Sequence, residues 1–208
     1  MKQLKPDVRR LSDMREVLYD KEWAKTAPDF ELYYMRRGAE NKDGLRYDIT
    51  EVPARMLGAE FAKTKGHYHV GSYQELYTVL EGEAIYLMQK PGKNGEIIDA
   101  YAVKTKKGQT IIVPPNYGHV TINTSKETPK LAESEPGSRS QSDMGKLKMA
   151  NWVSENCKSD YSEYVKLGGA CYYLTKDGWI KNENYKQVPE LRFENPLNST
   201  PENLDFLK

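Results

Sequence analysis

Residues 64–82 read TKGHYHVGSYQELYTVLEG. Two short strand-like runs flank a glycine-serine turn in this stretch, which is the pattern of paired β-strands. His67 and His69 are two positions apart, so a strand places both imidazoles on one face, about 6.5–7 Å apart along the chain. Glu75 begins the second run, and hairpin pairing can return its carboxylate to that face. We therefore expect a β-structure that gathers two imidazoles and a carboxylate.

The same pattern continues toward the C-terminus. Predicted strands cover residues 66–70, 75–80, 83–89, 97–103, 109–113 and 119–124. Turn residues separate them and no helix-length pattern interrupts them, which favours an antiparallel sandwich or barrel over a βαβ fold. A hairpin is predicted from residues 31–35 and 45–52. On the N-terminal side, Ser12 is predicted to cap a helix over residues 13–18.

The length and composition predict one domain. The chain has 208 residues, with 31 Lys and Arg against 30 Asp and Glu, for a net charge of +1. Because positive and negative residues are nearly equal in number, the chain has no overall positive charge that would attract nucleic acid or an anionic membrane. We divide the single domain 1–208 into an N-terminal extension, a core that carries the motifs, a polar surface insertion, and C-terminal strands with a tail. These parts are residues 1–44, 45–124, 125–146 and 147–208.

The N-terminus and the cysteines bear on the cellular compartment. Residues 1–7 lack the apolar stretch of a signal peptide, and we find no run of about 20 apolar residues for a membrane helix. Cys157 and Cys171 are the two cysteines, too few for a disulfide scaffold. We expect a cytoplasmic protein with reduced thiols.

The three histidines of the chain suggest one metal site. His119 lies about fifty residues after His67 and His69, beyond a Pro-Pro turn. A closed or sandwiched sheet can bring it to Glu75 and the first pair. Three imidazoles and one carboxylate suit Fe(II), Mn, Ni, Co or Zn and leave positions open on an octahedral ion. The alternative is that these histidines are ordinary packing or surface residues.

These residues resemble the two cupin motifs. The first motif, H-x-H followed by Glu and Gly, is matched by His67, His69, Glu75 and Gly82. The second, with Gly, Pro, His and Asn, is matched by residues 108–123. Phe61 and Asn116 stand where glycines are usual, but neither is at a ligand position.

A narrower resemblance is to the cupin-type glucose-6-phosphate isomerases. It is carried by Val8-Arg9-Arg10-Leu11-Ser12-Asp13-Met14, Thr64-Lys65-Gly66-His67-Tyr68-His69, Glu75-Leu76-Tyr77, residues 113–119 and Ser159-Asp160-Tyr161. The resemblance implies an all-β cupin barrel, a double-stranded β-helix or jelly roll, with minor flanking helices. It also implies a homodimer that interconverts glucose 6-phosphate and fructose 6-phosphate with one divalent metal per subunit, as in glycolysis and gluconeogenesis.

The resemblance assigns a phosphate site to the segment before His67. Thr64 and Gly66 are placed on the phosphate, with Thr50 on the adjacent strand. Lys65 adds charge if its side chain turns inward, and Gly66 can present its N–H closely because it lacks a Cβ. For Thr50, ordinary strand propensity is the alternative explanation.

Tyrosines are the expected contacts to the sugar. Tyr77 shares a strand face with Glu75 by the period of two, so we assign these two residues to catalysis. Tyr161 and one of Tyr33 and Tyr34 are the other candidates, and we favour Tyr33. With 15 tyrosines in the chain, packing is the alternative role for each of them.

Glu75 is the one obvious carboxylate base, although it is also an expected metal ligand. A cis-enediol route is preferred, and a hydride shift between C1 and C2 stays open. Other functions also stay open, namely a different metal-dependent cupin enzyme, such as an epimerase or a dioxygenase, or a non-catalytic phosphosugar-binding cupin. The native metal and the use of mannose 6-phosphate are not determined by these residues.

Overall fold

A computed structural model of the chain describes residues 5–125 and 145–208. Strands make up most of its regular structure. They are β1 (Asp7–Arg10), β2 (Glu31–Lys42), β3 (Leu45–Val52), β4 (Met56–Leu57), β5 (Glu60–Phe61), β6 (Tyr68–Val70), β7 (Glu75–Glu81), β8 (Glu83–Pro91), β9 (Ile97–Lys106), β10 (Thr110–Val113), β11 (Gly118–Ile122), β12 (Leu147–Ser154), β13 (Lys158–Asp160), β14 (Tyr172–Thr175), β15 (Gly178–Lys181) and β16 (Arg192–Glu194). The α-helices are α1 (Lys21–Thr26) and α2 (Ser162–Lys166).

The strands form two main sheets. One has the order β1-β2-β3-β12-β7-β10, and the other has the order β11-β8-β9-β16. The chain alternates between them, because β7, β10 and β12 lie in the first sheet while β8, β9 and β11 lie in the second. That alternation is the winding of a double-stranded β-helix, so the predicted all-β cupin fold is confirmed. Two small sheets, β13-β6 and β15-β14-β5-β4, flank the main pair.

Buried tyrosines contribute to the core together with aliphatic side chains. Tyr86 is fully buried on β8, and its hydroxyl lies 3.5 Å from the sulfur of Met149. Gln89 donates from its amide to the hydroxyls of Tyr68 and Tyr185, at 2.6 and 3.0 Å. A buried hydroxyl is costly unless it is hydrogen-bonded. Gln89 thus satisfies two of the core tyrosines, whereas the buried hydroxyl of Tyr164 has no hydrogen-bond partner within the described residues.

The N-terminal segment differs from the prediction. In place of a helix over residues 13–18, it forms 3-10 turns at Leu11–Asp13 and Arg15–Val17. Leu11, Met14 and Val17 are fully buried, and their spacing of three matches the 3-10 period. The Ser12 N–H donates to the Asp29 carboxylate at 2.8 Å. The α-helix begins later, after Asp20, whose side chain caps α1.

Of the predicted insertion 125–146, residues 126–144 lie outside the described part of the chain. In the two described segments, no helix has the length and apolar character needed to span a membrane. The predicted division of residues 1–208 into four parts stays a prediction.

Candidate metal centre and its cavity

Backbone pairing brings the histidines together. His67 and His119 lie opposite each other, with reciprocal N–H to carbonyl hydrogen bonds of 3.3 and 3.1 Å. Their ring centroids are 4.5 Å apart, and His69 lies 5.4 Å from each. Glu75 enters from the first residue of β7, in the facing sheet. The residues predicted from spacing therefore converge in space.

The donor atoms converge on one point. One donor atom from each of His67, His69, Glu75 and His119 lies within 4.8 Å of all the others. The Nε2 atoms of His69 and His119 lie 3.1 and 3.3 Å from the same carboxylate oxygen, Oε2 of Glu75. Their side chains are at most 5% exposed. Water therefore has little access to these three donors.

Surrounding polar groups orient two of the ligands. Nδ1 of His69 lies 3.0 Å from the Tyr73 carbonyl oxygen, which can only accept, so Nδ1 carries the proton of that bond. Nε2 is then left to face Glu75. Asn151 donates from Nδ2 to Oε1 of Glu75 at 2.6 Å. Such supporting hydrogen bonds hold metal ligands in position.

The pKa values of the histidines and Glu75 show that the group favours a positive charge at its centre. Burial and the neighbouring His119 hold the pKa of His67 well below its ordinary value. Burial alone raises the pKa of Glu75, but hydrogen bonds from His119 and His69 outweigh it and lower that pKa. Burial also lowers the pKa of His69, yet hydrogen bonds to Cys157 and Glu75 raise it to about 10. A proton on His69 therefore bridges to Glu75, and metal binding displaces such protons.

The donor set fits a divalent transition metal. Neutral imidazole nitrogens and a carboxylate oxygen are ligands that Fe(II), Mn, Ni, Co and Zn accept. His67, His119 and Glu75 have the protonation states that coordination requires, and His69 reaches its own when an ion displaces the proton between it and Glu75. These four residues could hold one ion, and their chemistry alone does not select among the metals.

The group lies in the wall of an open cavity. The cavity is partly open to solvent at its mouth. All the sequence-predicted site residues line it, namely Tyr33, Thr50, Thr64, Lys65, Gly66, His67, His69, Glu75, Tyr77, His119 and Tyr161.

The tyrosines take distinct places around the cavity. The hydroxyl of Tyr77 lies 3.2 Å from Nε2 of His119, and the ring of Tyr161 lies 5.4 Å from that of His67. Tyr33 is 3% exposed and accepts from the Lys65 N–H at 3.2 Å. Tyr34 instead donates to Glu31 and does not line the cavity.

Gly66 has a structural requirement of its own. Its φ is +80°, and a Cβ there would come within 2.5 Å of Tyr164 and Val120. Thr64 is also fixed by backbone contacts, because its Oγ accepts from the Thr121 N–H at 3.0 Å. Packing alone thus demands a glycine at 66, beside any role in ligand binding.

The sequence reasoning missed several polar residues of the wall. They are Arg37, Arg46, Asp48, Asn151, Cys157 and Ser159. Arg46, Asp48 and Thr50 lie at every second position of β3 and so share one face of the strand. That polar face lines the cavity. On β12, Asn151 lies in the cavity wall, whereas Trp152 packs outside it against Tyr47, at 4.7 Å between ring centroids. Period-two alternation would have found these residues once the inner face was known.

Asn151 provides a test of the metal centre. Asn151→Ala removes the donor to Oε1 of Glu75, and we expect the dissociation constant for Mn²⁺ to rise about 10- to 100-fold. Calorimetric titration of the purified chain measures this constant. Met149→Leu, a volume-conserving change on the same strand face, is the control and should leave it unchanged. Equal dissociation constants for Asn151→Ala and the wild type would show that Asn151 does not support metal binding.

The geometry can be compared with known proteins. Residues 8–142, more than half of the chain, match the family model described as glucose-6-phosphate isomerase (GPI). The glucose-6-phosphate isomerase of Thermococcus litoralis is 37% identical over 128 residues, which is 58% of this chain and 64% of that protein. That of Pyrococcus abyssi is 35% identical with the same coverage. The match thus spans less than two thirds of these relatives.

Solved structures add a more distant likeness. Oxalate oxidase in complex with the substrate analogue glycolate is 14% identical, with a TM-score of 0.43 over 62% of this chain and 55% of that one. A likeness at this level supports no inference about function. The family match and the motifs around the four ligands agree with each other: the chain belongs to the glucose-6-phosphate isomerase family.

Proposed function

We propose that the chain is a metal-dependent aldose–ketose isomerase that interconverts glucose 6-phosphate and fructose 6-phosphate. The observation that carries the proposal is the convergence of three imidazoles and Glu75 in the wall of a polar cavity. Membership of the family supports the same reaction. A homodimer in the cytoplasm, acting in glycolysis and gluconeogenesis, belongs to the proposal through the resemblance.

The phosphate is assigned to the part of the cavity around Thr50 and Thr64. Hydroxyls from these threonines and from Tyr33 surround it, and Lys65 contributes a positive charge. The Lys65 N–H already donates to Tyr33, so the Tyr33 hydroxyl is held in place to donate its own proton. A polar site with one lysine binds a phosphate without retaining the product too tightly.

A bound divalent ion, with Fe(II), Mn, Ni, Co and Zn as the candidates, supplies Lewis-acid polarisation of the substrate oxygens O1 and O2. Isomerisation then needs a proton moved between C2 and C1. When the proton leaves C2, its bonding pair forms the C1=C2 bond and the carbonyl pair moves to O1. The O2 hydroxyl proton passes to O1, the O2 pair forms the C2 carbonyl, and the C1=C2 pair takes up a proton at C1 to give the ketose.

We assign the proton transfer to Glu75 and Tyr77. Hydrogen bonds from His119 and His69 lower the pKa of Glu75, which is therefore a weak base. Burial and the Glu75 charge raise the pKa of Tyr77 well above its ordinary value, so its hydroxyl stays protonated and can donate to a substrate oxygen. Asp48 is a second carboxylate in the cavity wall, but both of its oxygens accept from Nε of Arg46, so Glu75 stays the proposed base.

The reaction is tested directly with fructose 6-phosphate in a coupled assay for glucose 6-phosphate. We expect turnover that chelation abolishes and Mn²⁺ or Fe²⁺ restores, and we expect His67→Ala to lose metal and activity together. In deuterium oxide, the enediol route places solvent deuterium on the product. A product that contains no solvent deuterium would favour the hydride shift. A thermal shift with phosphosugar but no turnover would contradict the isomerase and favour a binding module.

A matched tyrosine pair tests the phosphate assignment. Tyr33→Phe removes a hydroxyl from the cavity, and loss of one hydrogen bond of about 1 kcal/mol raises the KM for fructose 6-phosphate about fivefold. Tyr34→Phe removes a hydroxyl that bonds to Glu31 outside the cavity and should leave the KM unchanged. Steady-state kinetics measure both. Equal KM values for the two variants would place the phosphate elsewhere.

A further inference from the structure

Strand register locates Arg46 relative to the metal centre. Across the first sheet, Val153 of β12 pairs with Arg46 of β3 on one side and with Glu75 of β7 on the other. Arg46 is therefore level with Glu75, two strand spacings or about 9.5 Å away in backbone position. Thr50 lies four residues further along β3, about 13 Å from Arg46. Arg46 thus lies at the metal end of the cavity, away from the proposed phosphate position.

The Arg46 side chain is held in place by one partner. Its Nε lies 2.9 and 3.0 Å from the two carboxylate oxygens of Asp48. Asp48 in turn accepts from the Gly38 N–H at 2.8 Å. The side chain of Asp48 is 8% exposed and that of Arg46 is 23% exposed. The carboxylate is therefore the buried anchor, and the guanidinium extends from it.

The two terminal amino groups of Arg46 are left for a ligand. Within residues 5–125 and 145–208, the side-chain hydrogen bonds of Arg46 all go from Nε to Asp48, and the residue lines the cavity. An ion pair removed from water adds little to stability, because desolvation offsets the attraction. A guanidinium presents its N–H groups in a planar fork that matches two oxygens of one anion.

We propose that Arg46, held by Asp48, is a binding residue for a planar anion with two oxygens at the metal end of the cavity. In the proposed reaction this anion is the cis-enediolate, in which O1 and O2 lie in one plane on the same side of the C1=C2 bond, with the negative charge on the O1 side and a hydroxyl at O2. The inference rests on the proposed function and adds a residue that its motifs do not include. Because the anion forms only during the reaction, Arg46 contributes more to kcat than to substrate binding.

Two phosphosugar probes separate this role from general binding. 5-Phosphoarabinonate carries a carboxylate with the two oxygens and the charge of the enediolate. Arabinitol 5-phosphate has the same phosphate and carbon chain but no carboxylate. Calorimetric titration of each probe into the Mn²⁺-loaded chain measures binding without turnover.

Arg46→Lys is the main variant, because it keeps a positive charge beside Asp48 and removes the fork. We expect at least a tenfold loss of affinity for 5-phosphoarabinonate and an unchanged affinity for arabinitol 5-phosphate. In steady-state kinetics, kcat should fall more than KM rises. Arg36→Lys is the matched control. Arg36 is paired with Glu51 at 2.8 Å outside the cavity, and its variant should change neither affinity.

A second variant covers the case in which Arg46→Lys is unstable. The double change Arg46→Gln with Asp48→Asn keeps a hydrogen-bonding pair without buried charge, and we expect the same selective loss. An equal loss for both probes, or no loss for either, would overturn the proposal. Selective, Arg46-dependent binding by a chain that does not isomerise fructose 6-phosphate would support this binding role while the proposed reaction failed. Isomerisation of fructose 6-phosphate without that selectivity would support the proposed reaction and overturn the binding role of Arg46.

Discussion

The site depends on lone pairs that converge in a buried place. Two imidazole nitrogens point at a single oxygen of Glu75 from 3.1 and 3.3 Å, and His67 completes the group. Acceptors at these distances repel each other unless a proton or a metal ion lies among them, and exclusion of water strengthens the repulsion. The raised pKa of His69 reflects that demand for positive charge. A divalent ion satisfies it for all four donors at once.

The barrel supplies what this arrangement needs. Reciprocal backbone bonds between His67 and His119 set two ligands side by side, while Glu75 reaches them from the facing sheet. Asn151 donates to Oε1 of Glu75, and the Tyr73 carbonyl accepts from Nδ1 of His69. These bonds leave Oε2 and Nε2 to face the metal position. Each support comes from a different segment, so the ligand geometry requires the closed fold. The same walls continue into a polar cavity beside the metal ligands, which is where we propose that the substrate binds.

Residues close in sequence were the most predictable. The H-x-H pair and Glu75 follow from strand period and one turn, and the motifs around them lead to the family and to the all-β fold. Asn151 and Arg46 were missed because a polar residue on a strand normally faces water, and only the assembled sheet shows that these face a cavity. The N-terminal prediction was wrong because the buried residues Leu11, Met14 and Val17 follow a spacing of three, which a search for α-helical caps overlooks. β13, which carries Ser159 beside His69, is too short to leave a periodic signal.

The central claim is that His67, His69, Glu75 and His119 bind one ion together. Anomalous diffraction from a crystal of the chain grown with Mn²⁺ tests it most directly. The account predicts one strong peak per chain, at coordination distance from a ring nitrogen of each histidine and from Oε2 of Glu75. A peak elsewhere, or side chains turned away from one another with no peak between them, would contradict it.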